Sequence, residues 1–136
     1  EVITPEPSAY TTLPALMTYD DDDRLTGWTS GAANLVTVSD VDGNLTTGPL
    51  GGVSATFVYD ARNRLTGIVG GASYTYDAEN RRVSKTEAGV TTTYVHDPHA
   101  GLSQLVQATT GGVTTRYVYG AGRLLYEETG GAIRVY

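Results

Sequence analysis

The chain has 136 residues and a formal net charge of −6, so it lacks the basic surface that nucleic acid or an anionic membrane attracts. It contains no Cys, which excludes disulfides and thiolate metal sites, and no apolar run of the length that a membrane-spanning helix requires. Its 17 Gly and 10 Tyr residues favour strands joined by tight turns, and we expect neither nucleic-acid binding nor membrane insertion.

The first segment, residues 1–16, contains three Pro and no repeated phrase, which predicts an extended N-terminal arm or linker. The chain opens without an initiator Met or a basic and apolar leader, so we expect a processed product or a fragment. Residues 17–136 are predicted to form an array of about six hairpin repeats.

One phrase recurs through this array: an aromatic residue, Asp, two or three variable residues, Asn or Gly, Arg and Leu. Clear copies begin at Tyr19, Tyr59 and Tyr76, and weaker copies begin at Ser39, His96 and Tyr119. These anchors are 20, 20, 17, 20 and 23 residues apart, which fits one β-hairpin per repeat. The residues that define the repeats are Tyr19, Asp20, Arg24, Leu25, Tyr59, Asp60, Arg64, Leu65, Tyr76, Asp77, Arg81, Tyr94, Asp97, Tyr117, Tyr119 and Arg123.

Each phrase is predicted to be a turn, because Asp caps a tight turn with its side chain and Asn or Gly accepts positive φ near the end. A second turn signal, suited to the primed turns of hairpins, lies midway between phrases. Its copies are Ser30-Gly31, Gly51-Gly52, Gly70-Gly71, Ala88-Gly89, Gly111-Gly112 and Gly130-Gly131. The fold class predicted is therefore all-β, a continuous antiparallel meander.

The strands that enter each phrase carry a large residue two positions before the anchor, and period two places both on one face. The predicted columns contain Met17, Phe57, Tyr74, Tyr94 and Tyr117, and continue on the return strands through Leu25, Leu45, Leu65, Leu102 and Leu124. The opposite face is predicted to carry Thr56, Thr75, Thr93 and Thr115.

At these phrases the chain resembles the tyrosine-aspartate (YD) repeats of the rearrangement-hotspot (RHS) family, over roughly residues 17–136. The resemblance implies a β-sheet that spirals into a hollow shell, which in many bacterial members encloses a toxic domain. The family's closing segment, with its self-cleavage aspartates, does not occur here, so the resemblance assigns no catalytic residue. Ser39 and His96 replace the anchor Tyr, Gly120 replaces Asp, and Arg82 stands where Leu is expected.

Two residue groups are candidates for metal binding. The carboxylates of residues 20–23 suit Ca²⁺, although a solvated repeat turn explains the same run, and the alternatives stay open. His96, His99 and Asp97 resemble a weak transition-metal site, but no third well-placed ligand is evident and a packed His96 imidazole is favoured. We assign no metal ligand and no cofactor.

Other residues have both a chemical and a structural interpretation. Asp60 and Asp77 suggest a carboxylate pair across adjacent repeats, but their recurrence as turn caps argues against catalysis. The tyrosines suit carbohydrate stacking, yet alternation with Thr favours a half-buried ladder. Arg64, Arg81 and Arg123 are expected to pair with neighbouring Asp residues.

The leading expectation is a non-catalytic segment of a secreted or cell-surface shell, whose partners are other repeats of the same protein or a C-terminal cargo domain. One alternative is a fibre or homo-oligomer that pairs through open sheet edges. A second is an adhesion module that binds a glycan or a receptor. A hydrolase is rejected because no nucleophile and base stand in a recognisable motif.

Overall fold

The computed structural model describes residues 16–30, 33–99 and 103–136. Within these residues the strands pair antiparallel and no helix occurs. The predicted all-β antiparallel meander is confirmed. The predicted arm lies outside the described residues, except for Leu16, which begins the first strand.

The chain divides into two compact units, Glu1–Tyr59 and Asp60–Tyr136. In the first unit, β1, β2 and β3 form a three-stranded antiparallel sheet, and β4, β5 and β6 pair in sequence order. The bounds are β1 Leu16–Tyr19, β2 Leu25–Ser30, β3 Ala33–Val36, β4 Val38–Ser39, β5 Leu45–Leu50 and β6 Val53–Tyr59.

The second unit contains eight strands, each paired with the next along the chain. The bounds are β7 Leu65–Ile68, β8 Ala72–Tyr76, β9 Arg82–Glu87, β10 Val90–Asp97, β11 Gln104–Thr110, β12 Val113–Gly120, β13 Arg123–Thr129 and β14 Ala132–Val135. Ala72, at 4% exposure, is the one buried apolar side chain among the described residues, so strand pairing and half-buried side chains hold this unit together.

The short turns between hairpin strands mostly have the predicted primed geometry. Both turn residues have positive φ at 51–52, 88–89, 111–112 and 130–131; Ala88 and Gly89, for example, have φ of 49° and 76°. At Gly70-Gly71 only Gly70 has positive φ, and the Gly71 N–H donates to the Ile68 carbonyl at 2.9 Å, which is the pattern of a type II turn. Gly31 lies outside the described residues.

The sixth phrase is a different kind of turn from the other copies. Gly120 and Arg123 are cross-strand partners, and Ala121 and Gly122 form a two-residue turn with φ of 50° and 77°. Gly120 has no carboxylate and the phrase is one residue shorter, so the primed hairpin turn replaces the aspartate-capped turn.

A β-bulge follows the phrase on the return strand. Thr75 pairs with Ser84 whereas Tyr76 pairs with Arg82, which leaves Val83 as the extra residue. Equivalent shifts leave Thr26, Thr46, Val106 and Leu125 unmatched. Because a bulge changes the alternation of side chains, residues three apart across it lie on the same face.

The predicted faces are correct on most entering strands. Tyr74 and Tyr76 are half-buried and Thr75 is exposed, and the same alternation occurs in β6 and β10, where Thr56 and Thr93 are exposed. The prediction that Thr115 faces away from the tyrosines is wrong. Strand β12 is regular from Thr115 to Tyr117, so these two side chains lie on the same face. In β1, Met17 and Tyr19 are both exposed.

The return-strand leucines lie across from the anchors. Leu25, Leu45 and Leu124 pair with Tyr19, Ser39 and Tyr119. In the fifth repeat, Leu105 pairs with His96, and the predicted Leu102 lies outside the described residues.

Candidate functional site

The aspartate of each phrase closes its turn by accepting backbone hydrogen bonds. Asp60 Oδ1 accepts the N–H groups of Arg62 at 2.9 Å and Arg64 at 3.1 Å. The Asp60 N–H donates to the Arg64 carbonyl at 3.0 Å, and the Asn63 N–H donates to the Asp60 carbonyl at 2.9 Å. Asn63 has φ of 58°, which Asn tolerates better than most residues.

The same arrangement recurs at three other aspartates. Asp20, Asp40 and Asp77 each accept two backbone N–H groups at Oδ1, from the residues two and four positions later, at 2.8 to 3.0 Å. Asp97 accepts the His99 N–H at 2.9 Å. These side chains therefore act first as turn caps, as the sequence predicts.

A second residue in the phrase binds the other carboxylate oxygen. Arg64 contacts Asp60 Oδ2 through Nε at 2.8 Å and Nη2 at 2.7 Å, and Arg81 Nε lies 2.6 Å from Asp77 Oδ2. The Arg64 hydrogen bond is the main cause that lowers the pKa of Asp60 to about 2. Partial desolvation opposes the shift at Asp77, but hydrogen bonds from Arg81 still lower its pKa.

The first and second phrases close differently. Asn44 Nδ2 donates to Asp40 Oδ2 at 3.0 Å, and this bond is the main cause that lowers the pKa of Asp40. Arg24 lies 3.9 Å from Asp22 instead of closing on Asp20. The long, exposed Arg24 contact contributes little to stability.

Arg64 also joins its own turn to the following one. Its Nη1 donates to the Asp77 carbonyl at 3.2 Å and to Asn80 Oδ1 at 3.1 Å, and its guanidinium lies 4.9 Å from the centre of the Tyr76 ring. The Tyr76 hydroxyl donates to the Leu65 carbonyl at 2.7 Å. Consecutive phrases are thus bonded to each other through side chains as well as through strand pairing.

The Asp60 and Asp77 carboxylates have the turn-capping contacts that the sequence predicts. Each is bonded to backbone amides and to the arginine of its own turn. A general base or nucleophile needs a carboxylate oxygen directed at a substrate, and these oxygens are directed at the turns.

The face of the second unit that carries Tyr74 and Tyr94, called here the tyrosine face, also carries two basic side chains. The Arg82 guanidinium lies 5.3 Å from the centre of the Tyr74 ring and 5.4 Å from that of Tyr94. Lys85 pairs across the sheet with Tyr74 on one side and Thr92 on the other, and its Nζ lies 2.6 Å from Glu87. Hydrogen bonding to Glu87 raises the pKa of Lys85.

A shallow depression of about 170 Å³ adjoins Lys85. It is lined by Lys85, Glu87, Val90, Thr92 and Thr110. The Thr92 and Thr110 hydroxyls lie 2.7 Å apart and share a hydrogen bond.

The predicted metal candidates do not assemble in the described residues, where no group of three His, Asp or Glu side chains is placed to hold an ion. In the acidic run, Asp20 caps the turn and Asp22 faces Arg24. His96 is half-buried across from Leu105, as a packed imidazole would be, whereas His99 is exposed with Nδ1 3.5 Å from Asp97.

The remaining phrase residues lie near the end of the chain. Partial burial, and then the charge of Glu127, raise the pKa of Tyr117. Arg123 was expected to pair with an Asp, but Gly120 stands opposite it and Arg123 is exposed.

Sequence reasoning missed Arg82 and Lys85 as neighbours. The signal at Arg82 was its departure from the leucine of the phrase. Arg82 and Lys85 are three positions apart, and residues at that spacing in a regular strand lie on opposite faces. Only the bulge at Val83 places them on the same face, and the sequence does not mark that bulge.

No family model and no curated protein sequence matches this chain. Within the described residues, no helix has the length and apolar character needed to cross a bilayer.

Proposed function

We propose that this chain is a non-catalytic structural segment of a secreted or surface-exposed YD-type repeat shell. Its role is to enclose or display another part of the protein, such as a toxin domain. The observation that supports this proposal is the bonding between consecutive phrases, in which Arg64 closes the Asp60 turn and donates to the Asp77 turn. Side chains that bond one repeat to the next fit a structural role in a repeat array better than a role in a reaction.

The supporting chemistry is local and repeated. The Asp40, Asp60 and Asp77 carboxylates, whose pKa values are all lowered, are bonded within their turns. A perturbed carboxylate is a catalytic candidate when it faces a cleft with a free oxygen, and these three have structural partners instead.

The proposal is tested by determining the length and composition of the native polypeptide that contains this sequence. Intact-mass measurement and peptide mapping of protein from its source are expected to show further Tyr-Asp phrases beside these residues, together with a domain of different composition. A native polypeptide of 136 residues that ends at Tyr136 would overturn the proposal.

Self-assembly is the second candidate, supported by strand β14. This strand pairs with β13 along one edge, and Ile133 and Val135 are 65% and 75% exposed. An exposed strand edge with apolar residues accepts another strand, from the same polypeptide or from a second copy. Size-exclusion chromatography with light scattering over a hundredfold concentration range (~1 to 100 μM) separates these cases. A constant monomer mass rejects self-assembly and leaves the shell proposal standing.

A further inference from the structure

Among the described arginines of the second unit, Arg82 is distinguished by having two tyrosine rings beside its guanidinium. Arg64 and Arg81 bind aspartates of their turns, whereas Arg82 has two tyrosine rings beside it and no hydrogen bond or ion pair with a described side chain. A guanidinium carries five N–H donors, so those of Arg82 are available to a ligand.

The backbone places this cation on a surface that other donors share. The bulge at Val83 directs Arg82 and Lys85 to the same side of β9, between Tyr74 on β8 and Tyr94 on β10. The hydroxyls of Tyr74 and Tyr94 also have no hydrogen-bond partner among the described residues. Stacking against aromatic rings orients a guanidinium while leaving its edge free to bind an anion.

We propose that Arg82, Tyr74, Tyr94 and Lys85 form a binding site for the carboxylate of an acidic saccharide of the uronate class. Arg82 supplies a planar pair of donors that matches a carboxylate, and the two phenols supply donors or acceptors for sugar hydroxyls. Thr92 and Thr110, in the adjoining depression, have hydroxyl acceptor capacity beyond the bond that they share. This site goes beyond the structural role proposed above.

Strand pairing favours a saccharide over an acidic peptide at this position. β9 is paired on both edges, to β8 and to β10, so a peptide cannot add a strand and gain main-chain hydrogen bonds there. A ligand must be recognised by side chains alone, and those present are phenols, hydroxyls, the Arg82 guanidinium and Lys85, whose charge is shared with Glu87 at 2.6 Å. The formal charge of −6 repels polyanions in general, so binding requires this local arrangement.

The first experiment is calorimetric titration of the intact chain with tetragalacturonic acid in low-salt buffer. Its methyl ester and tetraglutamate serve as the neutral sugar and the acidic peptide. We expect the acid to bind roughly tenfold or more tightly than either comparison ligand, because only it presents carboxylates on sugar rings. No binding of the acid, or equal binding of tetraglutamate, would overturn the proposal.

The second experiment uses Arg82→Leu with Arg123→Leu as its matched control. Leucine occupies the position of Arg82 in other phrases. Both substitutions remove one positive charge from an exposed residue at the start of a return strand. Affinity is expected to fall roughly tenfold or more in Arg82→Leu and to change less than about twofold in Arg123→Leu. An equal loss in both variants would show nonspecific charge attraction and reject the site.

Tyr94→Phe keeps the ring beside Arg82 and removes only a hydroxyl. It provides a test that does not depend on the folding of Arg82→Leu, which circular dichroism checks. We expect affinity to fall roughly threefold to tenfold, in keeping with one lost hydrogen bond. Unchanged affinity in Tyr94→Phe, or in folded Arg82→Leu, would contradict the assignment.

Discussion

The hydrogen bond from Tyr76 to Leu65 offers a sharp test of the contacts between repeats. Tyr76→Phe removes the hydroxyl that donates to the Leu65 carbonyl at 2.7 Å and retains the half-buried ring. A neutral intramolecular hydrogen bond contributes about 0.5–1.5 kcal/mol, and Leu65 is half-buried, so water replaces the lost donor in part. We expect the free energy of unfolding to fall by about 1 kcal/mol.

Tyr94→Phe is the matched control, since the Tyr94 ring is also half-buried and its hydroxyl has no partner among the described residues. Thermal unfolding followed by circular dichroism is expected to shift by roughly 3–5 °C for Tyr76→Phe and by less than about 1 °C for Tyr94→Phe. Equal shifts in the two variants, or no shift in Tyr76→Phe, would refute the role given to this bond.

Two further predictions concern the turns. The Asp60 pKa is lowered from 3.8 to about 2, so the contribution of this carboxylate to stability is fully present above pH ~4 and is lost as pH falls through 2. In carbon-13 NMR the Asp60 carboxyl should titrate near 2, and in Arg64→Leu its midpoint should move up towards 3.8. An ordinary midpoint in the unaltered chain would contradict the ion pair. Ala88 has φ of 49°, so Ala88→Gly should relieve backbone strain and stabilise the fold by up to about 1 kcal/mol, measured by urea denaturation. Ala78→Gly is the control: Ala78 has no positive φ, so the substitution should destabilise the fold. The opposite order of stabilities would contradict the turn geometry.

The local chemistry of the turns was predictable from sequence. Asp60 and Asn63 have intrinsic preferences for capping and for positive φ, and the structure uses both. The diglycine turn at 111–112 likewise follows from what glycine permits. Such preferences are carried by a few adjacent residues, and alternating turns of this kind were enough to predict the antiparallel meander.

The relations across strands were less predictable. No residue type marks the bulge at Val83, although it decides that Arg82 and Lys85 share a face. The second contact of Arg64, with the Asp77 turn, depends on the register between repeats, and Thr115 was misplaced by the assumption that every entering strand alternates alike. These features depend on the pairing of distant residues, which the sequence records only indirectly.

The central claim is a meander in which consecutive strands pair in fixed register, and backbone NMR tests it directly. In β8 to β12, cross-strand nuclear Overhauser effects should connect Thr75 with Ser84, Ser84 with Thr93, Thr93 with Thr109, and Thr109 with Thr114. Val83 should stand outside this series as the bulged residue. Sequential helical contacts in this region, or a series displaced by one residue, would contradict both the fold and the placement of the tyrosine face.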